Sequence, residues 1–186
     1  MMKTRMIIVA APSGAGKTSF VEKITQQDVR LVDIITFTTR PMRKGETNGL
    51  QYNFISHADF EKKIAEGFFV EWAKVHTNFY GTSFQSLENA WARGRCAIMD
   101  IDIQGVQTFK GKYPDAKTVF ILPPSIDELR RRIEKRDGAM PADIEVRMAN
   151  AEKEIREAAK FDYQIINDNF DHSYSQFKKI VEELLG

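Results

Sequence analysis

The stretch APSGAGKTSF, residues 11 to 20, sets Gly14, Gly16, Lys17 and Thr18 at the spacing of a phosphate-binding loop. The pattern GxxxxGK[ST] works because a glycine-rich turn aims successive backbone N–H groups at phosphate oxygens, while the next helix adds its positive N-terminus. Lys17 would reach the β- and γ-phosphates, and Thr18 would offer its hydroxyl to Mg²⁺. Ser13, Ala15 and Ser19 complete the loop expected to hold ATP. Ala11 stands where the pattern has its leading glycine, a strand-end position that alanine fits unless the backbone needs a positive φ. Such a loop specifies a nucleoside triphosphate and nothing more. A second phosphate-gripping set stands in TFTTRPMRKGETNGLQY, where Arg40 and Arg43 lie three apart with Tyr52 beyond, two guanidinium forks and a phenol. The competing reading of that segment is a solvated basic loop.

Positioning these groups requires a strand before the loop and a helix after it. Met6 to Ala10 is an apolar β-branched run, and Thr18 to Gln27 reads as helix. Val32 to Phe37 reads as a second strand leading into the basic loop. Tyr52 to Ile55 and Phe68 to Trp72 read as short strands flanking a helix over HADFEKKIAEG, for which Ser56 and Asp59 supply the start, and together they suggest a small mixed insertion. SLENAWARG is helical and feeds the strand CAIMDI; IQGVQTFKGKYP is helical and feeds the strand KTVFILPP. Ser125 and Glu128 form a capping box that opens DELRRRIEKR. After a break at DGAMP, a helix runs from Pro141 to about Lys160, then the strand DYQIIND and a closing helix from Ser173 to Leu185. Strands alternating with helices in this way predict an α/β fold. A parallel sheet core is flanked by helices, with ligands at the carboxyl ends of the strands.

The chain has 186 residues, 42% of them hydrophobic, enough for one well-buried core and too few for two. Twenty-seven basic against 26 acidic residues leave a net charge of +1, so no global field draws the protein onto nucleic acid or a membrane. The single cysteine, Cys96, lies in an apolar run and reads as a small core residue rather than a reactive thiol. The apolar stretch near the start is shorter than the ~7 to 15 residues of a secretory signal, and no run approaches the roughly 18 apolar residues of a membrane span, so a cytoplasmic protein is expected. His57, His76 and His172 show no metal-ligand spacing.

The motifs, taken in order, resemble those of guanylate kinases: APSGAGKTS, TTRPMRKGETNGLQYNF, FVEWAKVHTNFYGTS, MDIDIQG, ILPPSIDELRRRIEKR, VRMANAEKEI and FDYQIINDN, together spanning nearly the whole chain. The resemblance implies a single domain with a core at residues 1–36, 94–124 and 161–186, a GMP-binding subdomain at 37–93 and a lid at 125–160. It implies transfer of the γ-phosphoryl of ATP to GMP. Arg40, Arg43, Tyr52 and Tyr80 would take the GMP phosphate, Thr36 and Thr82 would meet guanine O6, and Glu71 and Asp100 would meet the base edge. Guanine offers two donors beside an acceptor, so carboxylate plus hydroxyl is its complement, whereas adenine would leave buried polar groups unpaired. Without the motif around it, Glu71 would read as an ordinary surface or strand-end glutamate.

Asp100, in preference to Asp102, would hold Mg²⁺ through water together with Thr18. Arg136 and Arg147 would close on the phosphates from the lid, with Arg132 on the same helix face as Arg136, while Arg130 and Arg131 read as solvated. Asn167 would lie beside adenine. The acceptor is an anionic phosphate oxygen, so no general base is required, and Lys17, Arg43, Arg136 and Arg147 form the catalytic set. Both mobile parts should swing inward when both substrates bind. Ala11, Thr36, the Pro41/Met42 shift, Asp137 and Asn169 depart from the usual pattern without deleting a contact. The same resemblance admits a catalytically inactive protein-binding module, against which Lys17, Thr18 and the lid arginines argue. Monomer or homodimer, K⁺ and acceptance of dGMP stay open at this stage.

Overall fold

The computed structural model describes residues 5–12, 14–75 and 77–186, less the side chain of residue 137. The expectations for Ser13, for His76 and for the effect of Asp137 on Arg136 fall outside these. In chain order the elements are β1 (Met6–Ala10), α1 (Lys17–Gln27), β2 (Leu31–Asp33), β3 (Phe37–Thr38), β4 (Asn53–Phe54), α2 (His57–Ala65), β5 (Phe69–Val75) and β6 (Asn78–Ser83). There follow α3 (Phe84–Ala92), β7 (Cys96–Asp100), α4 (Ile103–Lys112), β8 (Lys117–Leu122), α5 (Ile126–Asp137), α6 (Ile144–Arg156) with a 3₁₀ turn (Glu157–Lys160), β9 (Tyr163–Ile166) and α7 (Phe170–Leu185).

The main sheet runs β2-β7-β1-β8-β9 with every neighbouring pair parallel. Strand β1 and most of β7 and β8 are apolar and buried because both faces of the sheet are covered there. Ile7 and Val9 face one cluster with Phe20, Ile24, Leu129, Ile133, Met148 and Phe177, and Met6, Ile8 and Ala10 face another with Leu87, Val106, Phe109 and Phe120. The alternation along β1 is the period of two expected for a strand, with an apolar layer on each side. Cys96 lies within the first layer, fully buried, and burial pushes its thiol up to about 12, so it stays protonated and unreactive. No helix among the described residues is long and apolar enough to cross a membrane.

The smaller sheet, β4-β3-β6-β5, pairs β3 parallel with β4 and antiparallel with β6, and β6 antiparallel with β5. Phe60 of α2 stacks on Phe69 and Phe79 at centroid distances of 4.4 and 5.3 Å, which gives this sheet its own aromatic core.

Several elements differ from the sequence reading, β5 among them, which runs Phe69–Val75 and not Phe68 to Trp72. The run Val32 to Phe37 is split: Ile34 makes the last bond to the main sheet, at Ile98 O, and Phe37 and Thr38 pair instead with Gly81 and Tyr80. Strand β6 had no signal of its own, since NFYGTS holds a glycine and mostly polar residues, and it forms by pairing on both edges. Helix α6 starts at Ile144 after a turn closed by Ile144 N–H donating to Pro141 O. Helix α7 starts three residues early because the Asn169 carboxamide oxygen accepts from His172 N–H at 3.1 Å, a use for one of the unusual residues. At α5 only half of the capping box is made: Ser125 Oγ accepts from Glu128 N–H, while the Glu128 carboxylate pairs with Arg131 and Arg132.

Candidate active site

Parallel pairing of β1 with β7 sets Val9 opposite Asp100, so the loop after β1 and the carboxylate ending β7 share one edge of the sheet. There Thr18 Oγ1 donates to Asp100 Oδ2 at 2.6 Å, and Lys17 Nζ lies 4.0 Å from the same oxygen. Gly14 and Gly16 adopt φ of 92° and 91°, which turns the loop and starts α1. Ala11 is buried in the layer that holds Ile7, Val9 and Ala15, so its methyl is core packing at the strand end. A Cβ at Gly14 would sit 2.7 Å from Ile133 Cγ1 of the buried α5 face. Gly14→Ala is therefore expected to lower stability by about 1 to 3 kcal/mol through left-handed strain and overpacking together. Chemical denaturation read by circular dichroism checks this, and an unchanged midpoint would refute it.

Facing the loop across a cleft of about 560 Å³ are Thr36, Arg40, Arg43, Tyr52, Glu71 and Tyr80. Arg40 lies over the Tyr52 ring at 5.3 Å, and the Tyr52 and Tyr80 rings meet edge to face at 6.0 Å. Burial pushes the Tyr52 phenol well above its ordinary range, so it stays a hydrogen-bond donor. Glu71 is only 5% exposed, and Thr82 Oγ1 donates to its Oε1 at 2.9 Å. Burial raises the Glu71 carboxyl to about 7, the Thr82 hydroxyl and Lys112 drawing it down and Asp102 adding to the rise. The Thr36 hydroxyl is buried with no hydrogen-bond partner among the described residues, on the cleft wall. An orphaned hydroxyl and a buried carboxylate lining one cleft are a costly arrangement unless a ligand completes them.

A scan against family models matches residues 3–184 to "Guanylate kinase". The chain belongs to the guanylate kinase family. It is 82% identical to a guanylate kinase of Bdellovibrio bacteriovorus, with both chains covered in full. It is 42% identical to one of Myxococcus xanthus over 95% of this chain and 85% of that one. The crystal structure of guanylate kinase from Anaplasma phagocytophilum superposes with a TM-score of 0.79 at 27% identity, covering 98% of this chain and 86% of that one. The protein is accordingly an ATP-dependent nucleoside monophosphate kinase, and no finding supports the inactive module.

Set in a guanylate kinase, the remaining residues named from sequence fall into two groups. Gly14, Gly16, Lys17, Thr18, Ser19, Asp100 and Arg136 line the cleft with the acceptor-side residues. Asn167, Ala15, Thr82 and Arg147 stand outside that lining. The Asn167 side-chain amide donates to Ala15 O at 2.9 Å, bracing the loop, and the Asn167 backbone carbonyl accepts from Arg132 Nη2 at 2.9 Å. Arg147 Nε donates to Asp143, the residue just before its own helix, at 2.9 Å. Arg130 and Arg131 pair with Glu145 and Glu128 at the surface, as a solvated helix face should.

Two acidic residues escaped the sequence reading. Glu46 forks onto Arg40 at 2.7 and 3.0 Å and accepts from Arg43 N–H at 2.6 Å, while Arg40 Nη1 also donates to Pro41 O at 2.7 Å. The signal for it was an acidic residue between two arginines and a phenol, easily taken for charge balance in a loop. Glu154, on α6, lines the cleft, and burial raises its carboxyl to about 7, with Lys17 drawing it down and Asp102 adding to the rise. Its only sequence signal was its place on the inner face of α6.

Proposed function

We propose that this protein transfers the γ-phosphoryl group of ATP, bound with Mg²⁺, to GMP, giving ADP and GDP. One observation supports this above the others. A single cleft joins a phosphate loop carrying Lys17 and Thr18 to a basic and phenolic wall whose floor holds a buried carboxylate and an orphaned hydroxyl. The loop takes the triphosphate, and Arg40, Arg43, Tyr52 and Tyr80 take the acceptor phosphate. Glu71 accepts from guanine N1–H and the 2-amino group, and the orphaned Thr36 hydroxyl donates to O6, while Thr82, which the resemblance also set at O6, gives its one hydroxyl proton to Glu71 Oε1 and orients that carboxylate.

Thr18 and Asp100 present two hard oxygens at hydrogen-bond distance beside Lys17, a donor set that suits Mg²⁺ held through water. The ion supplies charge neutralisation on the β- and γ-oxygens. This chain's own part is to bring two anions into line. Arg40 and Arg43 fix the acceptor oxygen, Lys17 and Arg136 screen the transferring group, and Arg147 reaches it from the lid when the lid closes. The acceptor oxygen is already anionic, so no side chain need remove a proton.

ADP formation with MgATP and each of GMP, AMP, CMP and UMP tests the reading. GMP is expected to be preferred over AMP by at least about a hundredfold in kcat/KM, the scale set by unpaired polar groups in a hydrogen-bonding site. Equal use of AMP and GMP would overturn the assignment of Glu71 and Thr36.

A further inference from the structure

Glu71 points into the cleft because strand β5 is irregular. The register with β6 shifts between Phe69, opposite Ser83, and Glu71, opposite Thr82. Phe69, Val70 and Glu71 are consecutively buried before the pattern returns to alternation at Trp72. A bulge of this kind re-aims side chains and takes a backbone group out of the ladder. The Val70 carbonyl, at the shift, accepts a hydrogen bond from Lys112 Nζ of α4. The lysine stem reaches there beside Phe84, whose ring centroid lies 5.6 Å from the ammonium.

The same helix touches the Glu71 side chain itself. A Cβ at Gly105 would lie 3.1 Å from Glu71 Oε2, so the carboxylate rests against bare backbone. Gly105 and Lys112 are seven residues apart and share one face of α4. The helix start is fixed in turn by Asp102, whose Oδ1 accepts from Gly105 N–H at 2.9 Å, two residues beyond Asp100. Helix α4 thus begins next to Asp100 and meets strand β5 twice, at the Val70 carbonyl and at the Glu71 carboxylate.

We propose that Lys112 is the positioning residue for Glu71: by holding the Val70 carbonyl at the bulge, it fixes where the carboxylate points and makes α4 a determinant of acceptor-base specificity. This rests on the reading of Glu71 as the guanine acceptor. The lysine charge acts in the same direction as its hydrogen bond, since it favours the ionised carboxylate against burial and Asp102. The charged and polar groups facing Glu71 are Thr82 from β6, and Asp102 and Lys112 from α4.

Steady-state kinetics of Lys112→Met with GMP and ATP varied separately across pH test this. The expected result is a KM for GMP raised about five- to tenfold, with kcat and the KM for ATP within about twofold of wild type. The acid limb of kcat/KM for GMP should move to higher pH, because Glu71 then holds its proton more tightly. Lys112→Gln, which keeps a donor for Val70 O without the charge, should restore most of the KM and leave the pH limb displaced. Gly105→Ala, pressing on Oε2, should raise the KM for GMP and spare that for ATP, and it decides the matter if Lys112→Met does not fold. Wild-type KM for GMP in these variants, or equal increases for both substrates, would overturn the positioning role. A wild-type enzyme indifferent to GMP over AMP would instead overturn the guanine reading beneath it.

Discussion

Lys17→Ala is expected to lower kcat by about a thousandfold or more, with a much smaller change in the KM for GMP. The ammonium is the one cation fixed by the loop itself, 4.0 Å from the carboxylate that Thr18 also binds, so its place is set before any nucleotide arrives. A charge held in place and aimed at developing charge needs no reorganisation during transfer, which is why its loss falls on kcat. Asp100 would then lose its nearest cation while facing an incoming triphosphate, and ATP binding should weaken as well. Arg136, on α5, lines the same cleft and as a second cation there should make up part of the missing charge, so a residual rate is expected rather than none. Single-turnover ADP formation at saturating nucleotide is the measurement. A rate within tenfold of wild type would mean that Lys17 is not the main charge on the transferring group, and the lid arginines would take that place.

The phosphate end of the cleft was legible because its geometry is local: a strand, two glycines, Lys17 and Thr18 within a dozen residues carry their own reason for being there. The alternating elements of the core were legible for the same reason, each apolar run having its own period. What could not be read was whatever pairing over distance creates. Strand β6 exists because β3 and β5 flank it, and the break in the run Val32 to Phe37 marks where the chain leaves one sheet for another. Glu71 is the sharpest instance: as a residue in FVEWAKV it looks like a strand-end glutamate, and its burial follows from a bulge against Thr82 and from the open backbone at Gly105. The family resemblance named it as a candidate but could not supply the cause of its burial. Glu46 and Glu154 were missed because an acidic residue among basic ones reads as charge balance until its partners are in view.

Glu71→Gln is expected to raise the KM for GMP by about a hundredfold and to change the pH dependence of both activity and stability. Glutamine keeps the size and one acceptor but turns a donor toward guanine N1–H or the 2-amino group, so one buried contact becomes a clash of donors. In the wild type the acceptor form is the ionised one. Burial raises this carboxyl to about 7, and kcat/KM for GMP should therefore fall as pH drops through about 7. The variant has nothing to titrate there, and any slope that it keeps belongs to the GMP phosphate, so the ratio of the two profiles isolates Glu71. Stability runs the opposite way. A carboxyl whose pKa is higher in the folded than in the unfolded protein favours folding at low pH and loses that advantage as pH rises from 4.5 toward 7. Above that range the buried charge is a net cost, and removing it should stabilise the protein by about 1 to 3 kcal/mol at pH 8 and by little at pH 5. Weaker GMP use with greater stability at high pH is the signature of a charge kept for its function. Equal stability of variant and wild type at pH 8 would show that Glu71 is better solvated than its burial implies, and the acid limb of activity should then lie nearer the ordinary carboxylate range.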